Sequence, residues 1–229
     1  MGGAQSRYYS WSVPVITIAR LFGAGGDTVG KTLAQRLKAD YLGPELIDEV
    51  ARRLEMPKEE VEAADEQPGT FLNRLLIALG AANPEPAISS EGTAWTPPYA
   101  DPHLDPRRAI VENTQQVIRE AARSGNVIIL GRGGAYILSD LPGALHVFLR
   151  ASESERIITV MDRENISPDE ARKRIKQTDE NRRAYIRQVY GHTWDLPGHY
   201  DLVLDTGRLG YDSTVEAILA ALPGRAERP

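Results

Sequence analysis

The chain has 229 residues, a length typical of one α/β domain, and 41% of them are hydrophobic, which is enough to bury a sizeable core. Its formal net charge of −5 argues against a nucleic-acid-binding protein with an overall positive field, although it is compatible with a local basic pocket. The chain contains no cysteine, which excludes disulfides, thiolate catalysis and cysteine-ligated metals and makes a reducing cytoplasm the expected location. No apolar run approaches the roughly 18 residues that span a bilayer, so we expect no membrane partner.

Strands and helices are predicted to alternate along residues 13–222, between an irregular leader at 1–12 and a short tail at 223–229. The β-branched apolar run from Val13 to Ala19 predicts a buried strand that ends in a glycine-rich turn. The other predicted strands lie at 41–42, 127–130, 144–149 and 200–204, and the predicted helices at 32–39, 44–54, 71–79, 106–124, 168–190 and 213–222. This alternation predicts an α/β fold with one parallel five-stranded sheet flanked by helices on both faces.

Local signals mark where helices start and where regular structure stops. Ser152 with Glu155, and Ser167 with Glu170, form two capping-box patterns, each of which predicts the first turn of a helix. Residues 83–106 carry many of the chain's prolines among scattered glycines and serines, and this composition predicts a mobile loop. The domain is therefore expected to contain one long irregular segment inside an otherwise regular α/β pattern.

The strongest chemical signal is a phosphate-loop motif between the first predicted strand and the next helix. The sequence GGDTVGKT at 25–32 matches the pattern G-x-x-x-x-G-K-[ST] in full. In such a loop, successive backbone N–H groups and the start of the helix bind phosphate oxygens. The residues predicted to bind nucleotide are Gly25, Gly26, Asp27, Thr28, Val29, Gly30, Lys31 and Thr32.

Two side chains of this motif are predicted to take part in chemistry. Lys31 should reach the β- and γ-phosphates and act in catalysis, and the Thr32 hydroxyl should bind Mg²⁺. The motif therefore predicts ATP and Mg²⁺ as cofactors, but it does not define the reaction, because many ATPases and GTPases share it. The alternative interpretation is a glycine-rich turn that happens to precede a helix.

Arginine is abundant in the later part of the chain, where a phosphoryl-transfer enzyme would need cations. Transfer spreads negative charge over the equatorial oxygens, so the protein has to hold cations in place and exclude water. The arginines between 150 and 190 are Arg150, Arg156, Arg163, Arg172, Arg174, Arg182, Arg183 and Arg187. Most of them are expected simply to solvate the exposed face of a helix.

Five further segments occur in a fixed order along the chain. They are ITIAR at 16–20 followed by FGAGG at 22–26, ELID at 45–48, VIILGRG at 127–133, D-x-x-R-x-x-Y at 179–185 and YDLVLDT at 200–206. This ordered set resembles the cytidylate kinase-like family of nucleoside monophosphate kinases over about residues 13–222. The resemblance implies a P-loop kinase fold with an acceptor-binding segment at 54–108 and a lid at 152–195.

The resemblance also implies roles for individual residues. Arg182 matches the lid position of the family and is expected to be catalytic, and Asp179 would orient its guanidinium or contact the acceptor. Arg132 matches the Gly-Arg pair that faces the acceptor, and it follows a buried strand at the carboxyl end of the sheet, where α/β proteins gather ligands. Asp48 and Arg52, or Arg53 in place of Arg52, follow the second strand, where the family binds the acceptor phosphate.

Three functions remain open on the sequence alone. The first is an ATP-dependent nucleoside monophosphate kinase with CMP or dCMP as acceptor and small nucleotides, rather than nucleic acid polymers, as partners. The second is a P-loop kinase for another small acceptor, because Gly133 stands where the cytidylate kinases carry Asp. The third is a nucleotide-binding regulatory protein without turnover, although retention of Lys31, Thr32 and Arg182 argues against it.

Overall fold

The computed structural model of the chain describes residues 14–59, 61 and 106–222. The predicted leader, the tail, the helix at 71–79, the loop at 83–105 and most of the predicted acceptor-binding segment lie outside these residues. Within the described ranges, no helix has the length and apolar character needed to cross a membrane.

The five described strands form one parallel sheet. They are β1 (Val15–Arg20), β2 (Asp40–Leu42), β3 (Val127–Leu130), β4 (Leu145–Arg150) and β5 (Leu202–Asp205). Their order across the sheet is β2-β3-β1-β4-β5, and each neighbouring pair is parallel. The prediction of a parallel five-stranded sheet is confirmed, and the structure adds that β1, the first strand of the chain, lies in its centre.

The described helices follow most of the predicted positions. They are α1 (Gly26–Leu37), α2 (Glu45–Leu54), α3 (Pro106–Ser124), α4 (Gly134–Ile137), α5 (Glu153–Glu164), α6 (Pro168–Tyr190), α7 (Thr206–Leu209) and α8 (Tyr211–Ala220), with a 3₁₀ turn at Pro197–His199. Both capping boxes are present, with Ser152 starting α5 and Ser167 starting α6. The main difference concerns α1, which begins at Gly26, well before the predicted start at Thr32.

The core has one large cluster on each face of the sheet. Because successive strand residues point to opposite faces, Val15 belongs to one cluster, whereas Ile16 and Ile18 belong to the other. The first cluster is completed by buried residues of α2 and α3, and the second by buried residues of α1 and α8. Helices therefore cover β1 on both sides, as expected for a parallel sheet.

The topology defines where ligands are expected. Strands β1 and β3 are neighbours in the sheet, but the helices that follow them pack on opposite faces. Helix α1 contributes Leu33 to the cluster around Ile18, while α4 places Ile137 against the cluster around Val15. Such a divergence opens a crevice at the carboxyl ends of two adjacent strands, which is the usual ligand site of an open α/β sheet.

A smaller cluster attaches the helical pair α5 and α6 to this end of the sheet. It contains Val160 of α5 together with Ala171 and Ile175 of α6, and Phe22 from the segment after β1 packs against it. The predicted lid region therefore lies beside the crevice because of apolar contacts with the chain that leaves β1.

Replacing Ile118 with alanine tests the packing of α3 on the sheet. Ile118 is fully buried, so the Ile118→Ala variant is expected to lose about 2–5 kcal/mol in the free energy of unfolding, from lost transfer energy and the cavity left behind. Denaturant unfolding measures this loss. The matched control is Ile158→Ala on α5, where the side chain is 59% exposed and the change should stay within about 0.5 kcal/mol. Equal midpoints for the two variants would contradict the packing described.

Candidate active site

The start of α1 presents unpaired backbone donors at the crevice. Gly25 is the N-cap with a φ of +72°, and no side chain caps the helix. The first hydrogen bond of the helix joins the Val29 N–H to the Gly25 carbonyl oxygen at 3.0 Å, so the N–H groups of Gly26, Asp27 and Thr28 precede it. These donors and the positive end of the helix dipole favour an anion here. Helices α5 and α6, in contrast, have capping boxes that satisfy such groups.

The prediction that the whole glycine-lysine motif forms a loop is wrong, because the helix already begins at Gly26. Lys31 and Thr32 lie in its second turn. The Lys31 Nζ pairs with the Asp27 carboxylate at 2.8 Å, and the Thr32 hydroxyl donates to the Thr28 carbonyl oxygen at 2.9 Å. Both polar groups are therefore engaged within the helix, one turn back from their own positions. The predicted roles of Lys31 in catalysis and of Thr32 in binding Mg²⁺ are not tested by these contacts. Both roles assumed that the two residues follow a phosphate-binding loop, whereas they lie inside α1.

Gly30, the glycine that precedes Lys31 in the motif, has a packing function. Gly30 is buried, and a Cβ at this position would lie 2.7 Å from the Tyr41 ring, so glycine allows β2 to approach α1. The Tyr41 hydroxyl donates to the Asp27 carboxylate at 2.9 Å. Partial burial raises the pKa of Asp27, but the hydrogen bonds from Lys31 and Tyr41 outweigh it and hold the pKa below its usual value. Asp27 is therefore an ionised carboxylate at the start of α1.

Four arginines surround a cavity of about 130 Å³ between α6 and the carboxyl ends of β1 and β3. They are Arg20, Arg132, Arg174 and Arg182. None of the described residues that line this cavity is acidic. A small space with several positive charges and no acid is suited to a ligand with more than one negative charge. We refer to this space as the arginine cavity.

Arg20, the last residue of β1, was not among the predicted site residues. Its side chain runs between two glycines, since a Cβ at Gly26 would lie 2.7 Å from its Cγ and a Cβ at Gly131 would collide with its guanidinium. Glycine at both positions thus makes room for Arg20 beside the start of α1. The available sequence signal was an arginine at the end of a buried strand, directly before the glycine-rich turn.

Arg132 lies in the arginine cavity, just after the carboxyl end of β3. It has a φ of +55°, between Gly131 at +80° and Gly133 at +76°, so three successive residues adopt the left-handed region. The Tyr190 hydroxyl of α6 donates to the Arg132 carbonyl oxygen at 3.3 Å. The ring of Tyr190 also occupies the space that any side chain at position 133 would need. Glycine at 133 is therefore a steric requirement of this turn.

Arg182 also lies in the cavity, and its Nη1 donates to the Arg20 carbonyl oxygen at 3.0 Å. Asp179, one turn earlier on α6, does not pair with Arg182 as predicted. Its carboxylate is buried, where it accepts from the Phe22 N–H at 2.8 Å and pairs with the Arg156 guanidinium at 2.6 Å. The described geometry makes Asp179 an anchor between α6, α5 and the chain after β1. Arg156, its partner, was indistinguishable in sequence from the surface arginines around it.

The structure does not bring Asp48 and Arg52 to the arginine cavity. Asp48 pairs with Lys58 at 2.7 Å on the surface of α2. Arg52 is 72% exposed and pairs with Glu49 at 2.8 Å, the spacing of an ordinary i,i+3 helix pair. Neither residue lines the cavity. The proposal that they bind the acceptor phosphate therefore has no support from the described contacts.

A second cavity, also of about 130 Å³, lies on the β4–β5 side of the same glycine-rich segment. Gly23, Glu155 and Tyr211 are among its lining residues, and the Tyr211 ring packs directly on Gly25. Thr206, which also lines it, is buried and donates to the carbonyl oxygens of Ala24 at 3.0 Å and of β4. Two separate cavities thus flank the start of α1, an arrangement suited to two ligands that meet at one phosphate-binding point.

Comparison with known proteins gives a consistent result. The family model described as the cytidylate kinase-like family matches residues 15–208. The cytidylate kinase of Methanopyrus kandleri is 30% identical over 224 residues, which cover 93% of this chain and 95% of the relative. The cytidylate kinase of Ignicoccus hospitalis is 30% identical over 118 residues, which cover 52% of this chain and 64% of the relative.

Solved structures agree on the architecture. An uncharacterized protein from Eubacterium ventriosum has a TM-score of 0.65 at 21% identity, with 93% of this chain and 99% of that chain covered. A shikimate kinase from Acinetobacter baumannii in complex with shikimate has a TM-score of 0.50 at 11% identity, with coverages of 95% and 97%. At these identities the likeness concerns the fold alone.

Substitution of Gly26 tests whether Arg20 and the start of α1 bind an anion together. In Gly26→Ala, the new methyl group should displace the Arg20 side chain, so affinity for inorganic tripolyphosphate, measured by calorimetry, should fall about tenfold. The matched control is Gly198→Ala, because a Cβ at Gly198 meets no atom within 4 Å. Equal affinity in both variants would contradict this anion site.

Proposed function

This chain belongs to the cytidylate kinase-like family, and we propose that it transfers the terminal phosphoryl group of ATP to CMP or dCMP. Family membership makes it a phosphotransferase of the nucleoside monophosphate kinase type. The observation that carries the proposal is the arginine cavity beside the uncapped start of α1. The names of the relatives support cytidine nucleotides as acceptors.

The two cavities suggest how the substrates would be arranged. The donor phosphates bind at the N–H groups of Gly26, Asp27 and Thr28, with the rest of ATP on the side of the second cavity. The acceptor phosphate binds in the arginine cavity. The acceptor oxygen then attacks the terminal phosphorus, the bond to the bridging oxygen breaks, and ADP leaves.

The cations of the arginine cavity supply the main catalytic effect. Charge on the equatorial oxygens of the transferred group increases in the transition state, and fixed guanidinium groups at that point lower the barrier. We assign this role to Arg182 of α6 and Arg20 of β1, both of which line the cavity, with the Arg182 Nη1 donating to the Arg20 carbonyl oxygen. Arg132 contacts the acceptor phosphate from the β3 side.

Mg²⁺ would neutralise the donor phosphates and orient them. It keeps several waters and needs only one or two protein carboxylates beside the phosphates, and the described residues contain no cluster of three metal-ligating side chains. Asp27, an ionised and half-exposed carboxylate at the start of α1, fits this need. Asp27 and Thr32 both already have protein partners, which are Lys31 and Tyr41 for Asp27 and the Thr28 carbonyl oxygen for Thr32. We prefer Asp27 because Mg²⁺ is usually bound through a carboxylate.

A second candidate function is phosphoryl transfer to another small anionic acceptor. The specific observation in its favour is Gly133, where the Tyr190 ring excludes the Asp that cytidylate kinases carry. The non-catalytic regulatory alternative is not favoured, because the family consists of transferases and the arginine cavity contains the cations that transfer requires.

An acceptor panel tests the proposed reaction. We expect ADP release from MgATP to depend on CMP or dCMP, with AMP, GMP and UMP at least about tenfold poorer in kcat/KM. A coupled assay for ADP, with omission of the acceptor as control, measures this. Release with none of these monophosphates, but with another small phosphorylated or hydroxylated metabolite, would replace CMP by that acceptor class.

Single replacements of Arg182 and of Lys31 compare the catalytic contribution of the arginine cavity with that of the glycine-lysine motif. We expect Arg182→Ala to lower kcat roughly 100-fold while the Kd for ATP changes less than about threefold, because the contact forms chiefly in the transition state. The motif alone predicted a loss of orders of magnitude for Lys31→Ala, but its pairing with Asp27 inside α1 leads us to expect less than about tenfold.

The control for both variants is Arg183→Ala, which removes a neighbouring arginine of α6 that pairs with Asp195 outside the cavity. A larger loss for Lys31→Ala than for Arg182→Ala would restore the motif-based assignment. An effect of Arg182→Ala on ATP binding alone would contradict its role in the transition state.

A further inference from the structure

The backbone of Phe22, the second residue after β1, is held from two sides. Its N–H donates to the Asp179 carboxylate at 2.8 Å, and its carbonyl oxygen accepts from the Arg156 guanidinium at 3.3 Å. Asp179 and Arg156 are themselves paired at 2.6 Å, with side chains only 11% and 12% exposed. A buried pair of this kind, which also bonds both polar groups of one backbone residue, has few alternative geometries. It therefore fixes the chain at Phe22 relative to both α5 and α6.

The ring of Phe22 lies close to two guanidinium groups. The guanidinium carbon of Arg163 on α5 is 4.7 Å from the ring centroid, and that of Arg182 on α6 is 5.5 Å away. Both distances are within the range of cation–π attraction. The ring also packs on the apolar cluster between the two helices, so it is half-buried and has a defined position.

The next residue explains why this contact is so close. A Cβ at Gly23 would lie 2.9 Å from the Arg156 carbonyl oxygen and 3.1 Å from Val160, so α5 packs directly against the backbone of Gly23. The segment from Arg20 to Gly23 therefore has helix α5 on one side and α6 on the other. Its contacts with Arg182 are the Arg20 carbonyl oxygen and the Phe22 ring.

We propose that Phe22 is a positioning residue that holds the Arg182 guanidinium at the arginine cavity. The backbone clamp fixes Phe22, the ring face orients the guanidinium by cation–π attraction, and the Arg20 carbonyl oxygen fixes its Nη1. The role in transfer rests on the proposed function, whereas the positioning itself is a property of the folded chain. Phe22 contacts no substrate in this scheme and acts only through Arg182.

The position of Phe22 has a further consequence for the site. It directly precedes the glycines that lead into α1, and it contacts the helix that carries Arg182. Phe22 therefore fixes the position of the Arg182 guanidinium relative to the donor-phosphate site at the start of α1. Loss of the ring should misplace the cation without removing the phosphate site.

The test replaces the ring while retaining apolar packing. In Phe22→Leu, kcat should fall roughly tenfold, as expected for loss of a partly desolvated cation–π contact, with KM for ATP nearly unchanged. Phe22→Tyr retains the ring face and should restore kcat to within about twofold of the unsubstituted enzyme. Arg163→Met is the matched control, because it removes the other guanidinium from the same ring and should leave kcat unchanged.

A second readout does not depend on the acceptor. The Nε–Hε resonance of Arg182, assigned by its loss in Arg182→Lys, should be broadened or shifted in Phe22→Leu and retained in Arg163→Met.

A double substitution provides a third test, which does require the acceptor. In the Arg182→Ala background, Phe22→Leu should cause no further loss of kcat, because the two residues act as a unit. If Phe22→Leu does not fold, Phe22→Met takes its place.

The outcomes separate the two proposals. An unchanged Arg182 resonance in Phe22→Leu, or a Tyr variant as impaired as the Leu variant, would overturn the positioning role. If the unsubstituted chain phosphorylates none of the monophosphates, the proposed acceptor fails, and the Arg182 resonance alone then decides whether Phe22 positions that guanidinium.

Discussion

The burial of β1 at the centre of the sheet is the constraint on which the site depends. Strands pair with both of its edges and helices cover both of its faces, so its carboxyl end has a fixed position. Arg20, the glycine-rich turn and the first turn of α1 all extend from that end. Because β3 is the neighbouring strand and its following helix packs on the opposite face, Arg132 reaches the same crevice. The position of the site is thus determined by the buried centre of the sheet.

The four arginines of the arginine cavity repel one another electrostatically, although the fold places them side by side. Like charges in a small space repel one another, and none of the described lining residues is acidic, although Arg174 pairs with Glu164 at 3.7 Å. Arg156, which does not line the cavity, forms a buried pair with Asp179. A polyanionic ligand would relieve the repulsion, so ligand binding and folding stability should be coupled in this protein. The net charge of −5 over the whole chain shows that the positive field is local.

Sequence reasoning succeeded where a local cause determines the structure. The β-branched apolar run at 13–19 predicted β1, and the Ser–Glu pairs at 152 and 167 predicted the starts of α5 and α6. It failed for α1, because the spacing of Asp27 with Lys31 is also the i,i+4 spacing of a helix, and the motif match does not distinguish a loop from two helical turns. The pairing of Asp179 with Arg156 was not predictable, since it depends on how two helices pack. The strand order likewise follows from tertiary packing and not from any local pattern.

The contact between Tyr190 and Gly133 restricts how this protein can diverge. Any residue larger than glycine at 133 would meet the Tyr190 ring in an already left-handed turn, so a substitution there is disfavoured until Tyr190 is replaced by a smaller residue. Loss of Tyr190 first would remove the hydrogen bond that holds the Arg132 carbonyl oxygen. Each change alone is therefore harmful, and the two positions are expected to change together between descendants. A fitness barrier of this kind would keep lineages with a glycine here apart from those with an aspartate.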